Sequence, residues 1–238
     1  MSQPPAPRSI REHLASLVPE CGRCASFVSA HNLAEAFGNA VDAKDPHTAN
    51  HSREVAALAE LLARAMGLTS LQVERVHLAA HVHDIGKIGI PESILGKPGP
   101  LDPAQWPIMR RHPDIGACIL RPCFPAGPGS VQDMVLAHHE RFDGGGYPRR
   151  LSGRDIPLGA RIIAVVDSYS AMRQDRPYRR GMPHGEALEE IIRNRGSQFD
   201  PDAAAEFLRL ESPVLELMEG LARTAPTVHL HAGCAAAA

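Results

Sequence analysis

The sequence predicts an all-α protein, and three observations support this. Apolar residues recur at helical spacing along most of the chain, clusters of glycine and proline separate these segments, and no stretch shows the alternating pattern of a strand. With 238 residues, the chain is long enough for one large domain or two small ones, and it can bury about 70% of its unfolded surface.

Capping signals mark several of the predicted helices. Ser9 opens a capping box for a short first helix, and Thr69 opens another for a helix that delivers His83 and Asp84 at its end. Residues 26–42 form a helix whose apolar side is expected to carry Phe27, Leu33, Ala36, Phe37, Ala40 and Val41. Further helices are expected after Asp45, from Asp102, and over residues 114–120, 131–139, 159–173, 183–195, 201–210 and 213–223.

Composition excludes some classes of function. The formal net charge of −2 leaves no basic excess to hold a nucleic-acid backbone, which argues against polymeric DNA or RNA as a substrate. No apolar run approaches the roughly 20 residues of a membrane span, and the polar N-terminus lacks a signal-peptide core. Five scattered cysteines then indicate reduced thiols in the cytoplasm. Cys21 and Cys24 form a single CxxC, which is more typical of two ordinary thiols than of a zinc site.

Two adjacent pairs of candidate metal ligands stand out among the 13 histidines. In the first pair, His83 offers a neutral nitrogen ligand and Asp84 a bridging carboxylate; His138 and His139 form the second. Neighbouring helix residues diverge by about 100°, so both members of a pair reach one centre only at a helix end or across two nearby metals. Asp167 interrupts an apolar helix, and a buried carboxylate needs a cation, either a metal or a lysine.

These candidate ligands offer only nitrogen and oxygen. Such a set favours iron, manganese, nickel, cobalt or zinc over a zinc site built from thiolates. Two ions a few ångströms apart would activate a bridging hydroxide and clamp a phosphoryl oxygen. Lys87, Arg176 and Arg179 could then neutralise the charge of a phosphate.

The motifs HDIGKIGIP at 83–91, RHP at 111–113 and HHERFDGGGYP at 138–148 closely resemble those of the HD-GYP domain family. This family is a bacterial branch of the HD phosphohydrolases. The later Asp167 and the RPYR segment at 176–179 are also similar. The resemblance implies an HD-domain helical bundle, the HD-GYP phosphodiesterase domain, over residues 40–212. Residues 1–39 would then be a helical extension, and 213–238 a last helix with a flexible tail.

The resemblance also implies an activity. Members of the family hydrolyse cyclic di-GMP to pGpG, and often to GMP, by attack of a hydroxide that bridges two or three iron or manganese ions. Carried over to this chain, Asp84 and Lys87 would act in catalysis, Tyr147 would line the nucleotide pocket, and Arg176 and Arg179 would grip the phosphates. The implied metal ligands are His51, His83, Asp84, His112, His138, His139 and Asp167.

Three positions depart from the family pattern. His47 stands four residues before His51, where the family has glutamate or tyrosine, and it could be a ligand or lie outside the ligand set. His81 pairs with His77 one helical turn away, and we expect a partly buried histidine satisfied by a hydrogen bond rather than an extra ligand. Ser170 replaces a common aspartate, which should loosen the support of the ligands.

Other interpretations stay open at this point. The fold could serve as a non-catalytic module that binds a cyclic dinucleotide or a protein, or as an HD phosphohydrolase that acts on another nucleotide. Tyr147 could simply pack in its turn, and Arg176 and Arg179 could belong to a solvated basic loop. The N-terminal helices could form a homodimer or bind a signalling partner.

Overall fold

The computed structural model describes residues 30–45, 50–175 and 180–224. These ranges are helical and contain no strand, which confirms the all-α class; one isolated bridge pairs Arg195 with Phe199. Short 3₁₀ helices lie at Ile85–Gly89 and Gly153–Asp155. The α-helices of the described ranges are α1 (Ala30–Lys44), α2 (His51–Ala65), α3 (Ser70–His81), α4 (Glu92–Leu95), α5 (Trp106–Met109), α6 (His112–Leu120), α7 (Val131–Ala137), α8 (Leu158–Arg173), α9 (His184–Arg193), α10 (Pro201–Arg209) and α11 (Glu211–Thr224).

The core is built around α2, α3 and α8. Helix α2 packs against both α3 and α8, and α8 also touches α7, α9 and α10. Helix α8 is apolar on nearly all sides because it is surrounded by other helices, and Ile162, Val165 and Tyr169 are completely buried. Asp167 is the acidic residue in this helix, and its side chain keeps 15% of its surface exposed at the site described below.

Of the described residues on its predicted apolar side, helix α1 buries only Val41, and Phe27 lies outside the described residues. Leu33 and Phe37 are 47% and 46% exposed, and Ala36 and Ala40 are exposed as well. The buried side consists of Ala34, Gly38, Val41 and Asp42. The reason is a polar contact between Asp42 and the start of α2. The Asp42 carboxylate accepts hydrogen bonds from the amide of Ser52 at 3.1 Å and from its hydroxyl at 2.9 Å, so α1 turns this side inward to cap α2.

The helix starts match the sequence in some places and not in others. Thr69 and Gln72 form the predicted capping box, and Asp200 accepts from the first amides of α10. The helix expected from Asp102 begins later, at Trp106. Gln105 forms its half of the predicted capping box by accepting from the Asp102 amide at 2.9 Å, but the Asp102 carboxylate binds Lys97 at 2.8 Å. In the described part of the chain, no helix combines the length and apolarity needed to cross a bilayer.

Candidate metal centre

The His83–Asp84 pair lies just past the end of α3, where the chain turns into the first 3₁₀ helix. This turn packs closely against the start of α6. A Cβ at Gly86 would overlap the carbonyl oxygen of His112 and lie 2.6 Å from the amide nitrogen of Gly116. Glycine is therefore required here, and it brings Asp84 next to His112.

Two groups of ligand atoms surround Asp84. In the described residues, Asp84, His112, His138 and His139 each place a ligand atom within 4.8 Å of the others, and His51, His83 and Asp167 form a second such group. The Oδ1 of Asp84 lies 3.2 Å from His112 Nε2, and its Oδ2 lies 3.4 Å from His83 Nε2. One carboxylate thus faces both groups, as a bridging ligand would.

Three histidines are fixed in the same way by their own backbone. In each, Nδ1 donates to the carbonyl oxygen three residues earlier, so the proton resides on Nδ1 and the lone pair of Nε2 points to the centre. The distances are 2.7 Å for His83, 2.9 Å for His112 and 2.6 Å for His138.

The fit of a cation is clearest at His83. In the described part of the chain its Nε2 is buried without a hydrogen-bond partner, and it faces oxygens of Asp84 at 3.4 Å and Asp167 at 3.8 Å. Because the ring proton is on Nδ1, this lone pair meets two carboxylates with no hydrogen between them. A positive ion among these three atoms resolves that conflict, so the donor set suits a metal.

His51 is held by a chain of hydrogen bonds. The Ser170 hydroxyl donates to Glu54 at 2.7 Å and therefore accepts from His51 Nδ1 at 3.0 Å, while His51 Nε2 lies 3.0 Å from Asp167. Burial lowers the pKa of His51, but the hydrogen bond and charge of Asp167 outweigh it and raise the pKa overall. Ser170 thus supports His51, and whether this support is looser than that of an aspartate stays a prediction. Glu54, which completes the chain, was missed although it lies one turn from His51.

The protonation states also suit metal binding. Burial, reinforced by neighbouring histidines, lowers the pKa of His138 well below its usual range and that of His139 to about 3, and burial lowers the pKa of His112 too. Burial opposes the charge on both acids, but Lys87 and the neighbouring histidines hold the pKa of Asp84 below normal, and the hydrogen bond from His51 with nearby histidines does the same for Asp167. At neutral pH these groups are therefore neutral imidazoles and ionised carboxylates, the forms that bind metals.

Lys87 lies against this centre between two acids. Its Nζ is 2.7 Å from Asp84 and 3.1 Å from Asp45. Burial lowers the pKa of Lys87, but the charges of Asp84 and Asp45 more than compensate and raise it. The partner of Asp167 is thus His51 rather than Lys87. The role of Asp45 was missed, because an aspartate before a proline suggested only a helix start.

Tyr147 lies at the rim of the centre. Its ring stacks on His139 with centroids 4.9 Å apart, and the guanidinium of Arg110 lies 5.3 Å from its centroid. A Cβ at Gly146 would lie 2.5 Å from Glu140 Cα, so only glycine allows the loop to fold back this closely. Tyr147 therefore packs in its turn against His139, and its contact with a nucleotide stays a prediction.

Glu140 anchors the same loop and was not singled out from the sequence. It is buried, and its two oxygens accept from the amides of Arg149 at 2.7 Å and Leu151 at 3.1 Å. Its position next to His139 was the sequence signal that could have identified it. Glu140 holds in place the chain that follows the glycine-rich turn.

A third group of histidines lies outside this centre, formed by His31, His77 and His81. The prediction that His81 is satisfied by a hydrogen bond was wrong within the described ranges, because both of its ring nitrogens are buried there without a partner. His31 was not singled out from the sequence. Some predictions cannot be compared with the structure: His47, Arg176, Arg179 and the Cys21–Cys24 pair lie outside the described residues.

Comparison with known proteins gives a consistent set of relatives. A family model described as "HD domain" matches residues 35–203. A cyclic di-GMP phosphodiesterase of Thermotoga maritima is 40% identical over 178 residues, covering 73% of this chain and 47% of that protein. A 3′3′-cGAMP-specific phosphodiesterase of Vibrio cholerae is 40% identical over 173 residues, with shares of 73% and 37%. The chain thus spans less than half the length of these relatives.

Two solved structures resemble the described fold. The crystal structure of a cyclic GMP-AMP specific phosphodiesterase of V. cholerae gives a TM-score of 0.62 at 16% identity, covering 81% of this chain and 50% of that one. The HD domain of the L. monocytogenes phosphodiesterase PgpH, in complex with cyclic-di-AMP, gives 0.52 at 22% identity, with 78% and 96% covered. At these identities the likeness concerns the fold.

Proposed function

The chain belongs to the HD domain family, and on that premise we propose that it hydrolyses the phosphodiester bonds of cyclic dinucleotides with two bound divalent metal ions. The observation that carries this proposal is Asp84, whose two oxygens face two separate groups of ligand atoms. Relatives that cover most of this chain and are named as cyclic dinucleotide phosphodiesterases support the same reaction class.

The proposed ligands divide into two sets that share Asp84. One set is His51, His83 and Asp167, and the other is His112, His138 and His139. Their nitrogen and oxygen donors suit iron or manganese. A bound pair of such ions supplies a hydroxide at neutral pH and stabilises charge on a phosphoryl oxygen. His47, outside the described residues, is a candidate ligand for a third ion.

Other side chains of this chain would handle the substrate. The Lys87 ammonium, held between Asp84 and Asp45, stays charged and can stabilise negative charge that develops on the phosphate. Tyr147, with Arg110 over its ring, offers a surface for a base and a cation for a phosphate at the rim. Arg176 and Arg179 are proposed to bind the second phosphate.

We propose cyclic di-GMP as the substrate, with pGpG and then GMP as products. The Thermotoga relative and several others carry this activity in their names. A second candidate is 3′3′-cGAMP, since relatives from V. cholerae with that specificity match at 40% and 41% identity. Hydrolysis of another nucleotide, or binding without hydrolysis, are the remaining alternatives.

The test is a substrate panel with full-length protein purified without oxygen and loaded with manganese or iron. Chromatography should show linear dinucleotide from cyclic di-GMP or 3′3′-cGAMP, and no product from nucleotide monoesters. His83→Ala/Asp84→Ala should lose this activity, whereas Asp114→Asn, an exposed acid on α6, should keep it. Full turnover by the double variant would refute the proposed centre. Metal-replete protein that binds but does not cleave any of these compounds would establish the binding module instead.

A further inference from the structure

The third histidine group joins two helices. His31 lies in the first turn of α1, and His77 and His81 lie one turn apart on α3. One ring nitrogen of each lies within 4.8 Å of the others. None of these three residues belongs to the proposed ligands around Asp84, so the group requires its own explanation.

His77 is oriented as a metal ligand would be. Its Nδ1 lies 3.0 Å from a carboxylate oxygen of Glu60 and 3.2 Å from the carbonyl oxygen of Ala56. Both are acceptors, so Nδ1 carries the proton and the lone pair of Nε2 is directed to His31 Nδ1, 3.0 Å away. Burial lowers the pKa of His77, which keeps its ring neutral. A carboxylate on the outer nitrogen is the usual support of a metal-bound histidine.

His81 provides the second, independent observation. Its residue surface is only 3% exposed, and neither ring nitrogen has a hydrogen-bond partner among the residues that the structure describes. Its ring centroid lies 4.7 Å from that of His77 and 5.3 Å from that of His31. Buried polar atoms without partners are rare in folded proteins, and each one needs an explanation.

Ring packing alone does not explain the group. The rings of His31 and His77 are stacked, with centroids 4.9 Å apart, and His31 Nδ1 can donate to His77 Nε2, which together account for their contact. These interactions leave both nitrogens of His81 unsatisfied. In a tetrahedral zinc site with bonds of about 2.0–2.1 Å, ligand nitrogens are separated by about 3.4 Å. The observed 3.0 Å between His77 and His31 is close to that spacing, so a small movement of the side chains would admit an ion.

We propose that His31, His77 and His81 bind one divalent transition-metal ion of the zinc class, at a site separate from the centre around Asp84. Three imidazoles favour zinc, cobalt, nickel or copper over magnesium or calcium. A cleft of about 260 Å³, lined in part by Glu60, Arg64 and Glu74, adjoins His31 and His77 and leaves room for water as a fourth ligand. Such an ion would fasten the start of α1 to α3.

The site is tested by measuring metal binding to variants in which an exposed residue is changed. Full-length protein is stripped with a chelator and titrated with Zn²⁺, and with Co²⁺ for its visible spectrum. His31→Ala should bind one zinc ion fewer per chain than the native protein and lose one tetrahedral cobalt signal. Its folding should be preserved because the His31 side chain is 48% exposed. Asn39→Ala, an exposed change on the same helix, should behave as the native protein does.

Two further variants separate this site from the metal centre. His77→Gln should weaken binding of this zinc ion by at least about 100-fold, more than the loss of an outer partner typically costs. His51→Gln should impair the centre around Asp84 but keep the part of the zinc-dependent rise in Tm that His31→Ala loses. His31→Ala should also retain hydrolysis. Unchanged zinc stoichiometry and affinity in both His31→Ala and His77→Gln would refute the site and leave a stacked cluster only.

Discussion

The two histidine groups near the C-terminal end of α3 differ in what holds their side chains. Around Asp84, three rings donate to carbonyl oxygens of their own backbone, and two carboxylates lie among the ligand atoms. In the group of His31, His77 and His81, the nearby carboxylate of Glu60 holds an outer nitrogen and is not among the grouped ligand atoms. The same residue type is therefore prepared for two uses. We propose that the centre around Asp84, here called the acidic centre, holds two ions, whereas the group of His31, His77 and His81 holds one ion that joins two helices.

The largest effect is expected from a change of Asp84, the ligand that both halves of the acidic centre would share. Asp84→Asn keeps the shape but removes the charge that faces both groups, so hydrolysis should fall by at least about 10³-fold and bound metal should decrease. Zinc binding at His31 should persist. Activity and metal content measured on the same samples check this, with Asp114→Asn as the control. An active Asp84→Asn variant with two ions would show that this carboxylate is dispensable.

A smaller effect is expected from the support of His51. Ser170→Ala removes the acceptor of the His51 ring proton, and losing such a partner typically weakens metal binding 10- to 100-fold. Manganese titration followed by activity measures this. Ser168→Ala, two residues earlier on α8, removes a hydroxyl that contacts Gln198 rather than a ligand, and its metal affinity should not change. Equal affinities for both variants would show that Ser170 does not position His51.

A change beside Lys87 tests whether activity at the acidic centre depends on the position of the lysine charge in addition to bound metal. Asp45→Asn removes one of the two acidic partners of Lys87, and we expect kcat to fall about tenfold while metal content is retained. Asp102→Asn breaks an exposed aspartate–lysine pair and should leave kcat unchanged. A loss of metal in Asp45→Asn with normal kcat per metal-loaded molecule would assign Asp45 a structural role.

The smallest expected effect is a loss of folding stability at acidic pH, and it applies to both histidine groups. Burial lowers the pKa of His139 and of His81 to about 3, below the unfolded value of about 6.5. The unfolded chain then binds more protons as the pH falls below about 6.5, so the metal-free protein should lose about 1 kcal/mol for each such histidine at pH 5.5 relative to pH 7.5.

Urea unfolding of chelator-treated protein at these two pH values measures the loss. Burial also lowers the pKa of His112, His138 and His77, which adds to the loss, whereas the raised pKa of His51 acts in the opposite direction. His139→Gln and His81→Gln should each flatten the pH dependence by a similar amount. Stability that does not decline between pH 7.5 and 5.5 would contradict the burial of neutral rings.

Much of the acidic centre could be predicted from sequence because its motifs are local. Adjacent ligands such as His83 and Asp84, with a required glycine two residues later, identify the family, and its HD-domain fold agrees with the solved structures. The helices at 159–173 and 201–210 were predicted within a residue or two, since a continuous apolar run and an aspartate–proline cap are strong signals.

The rest depended on contacts between distant segments. Asp45 binds Lys87 across 42 residues, and Glu54 reaches Ser170 across 116, so no local pattern reveals either pair. The inward side of α1 was mistaken because Asp42 has a partner on α2 that outweighs the preference of large apolar residues for burial. His31 contacts His77 across 46 residues, so no local pattern reveals this contact either.

The most direct test is anomalous scattering from crystals of the full-length protein loaded with manganese and zinc, measured at the absorption edge of each metal. The account predicts two metal peaks, one on each side of the Asp84 carboxylate, and a separate zinc peak among His31, His77 and His81. Crystals of metal-loaded protein with this fold but with no peak beside Asp84 would contradict the central claim.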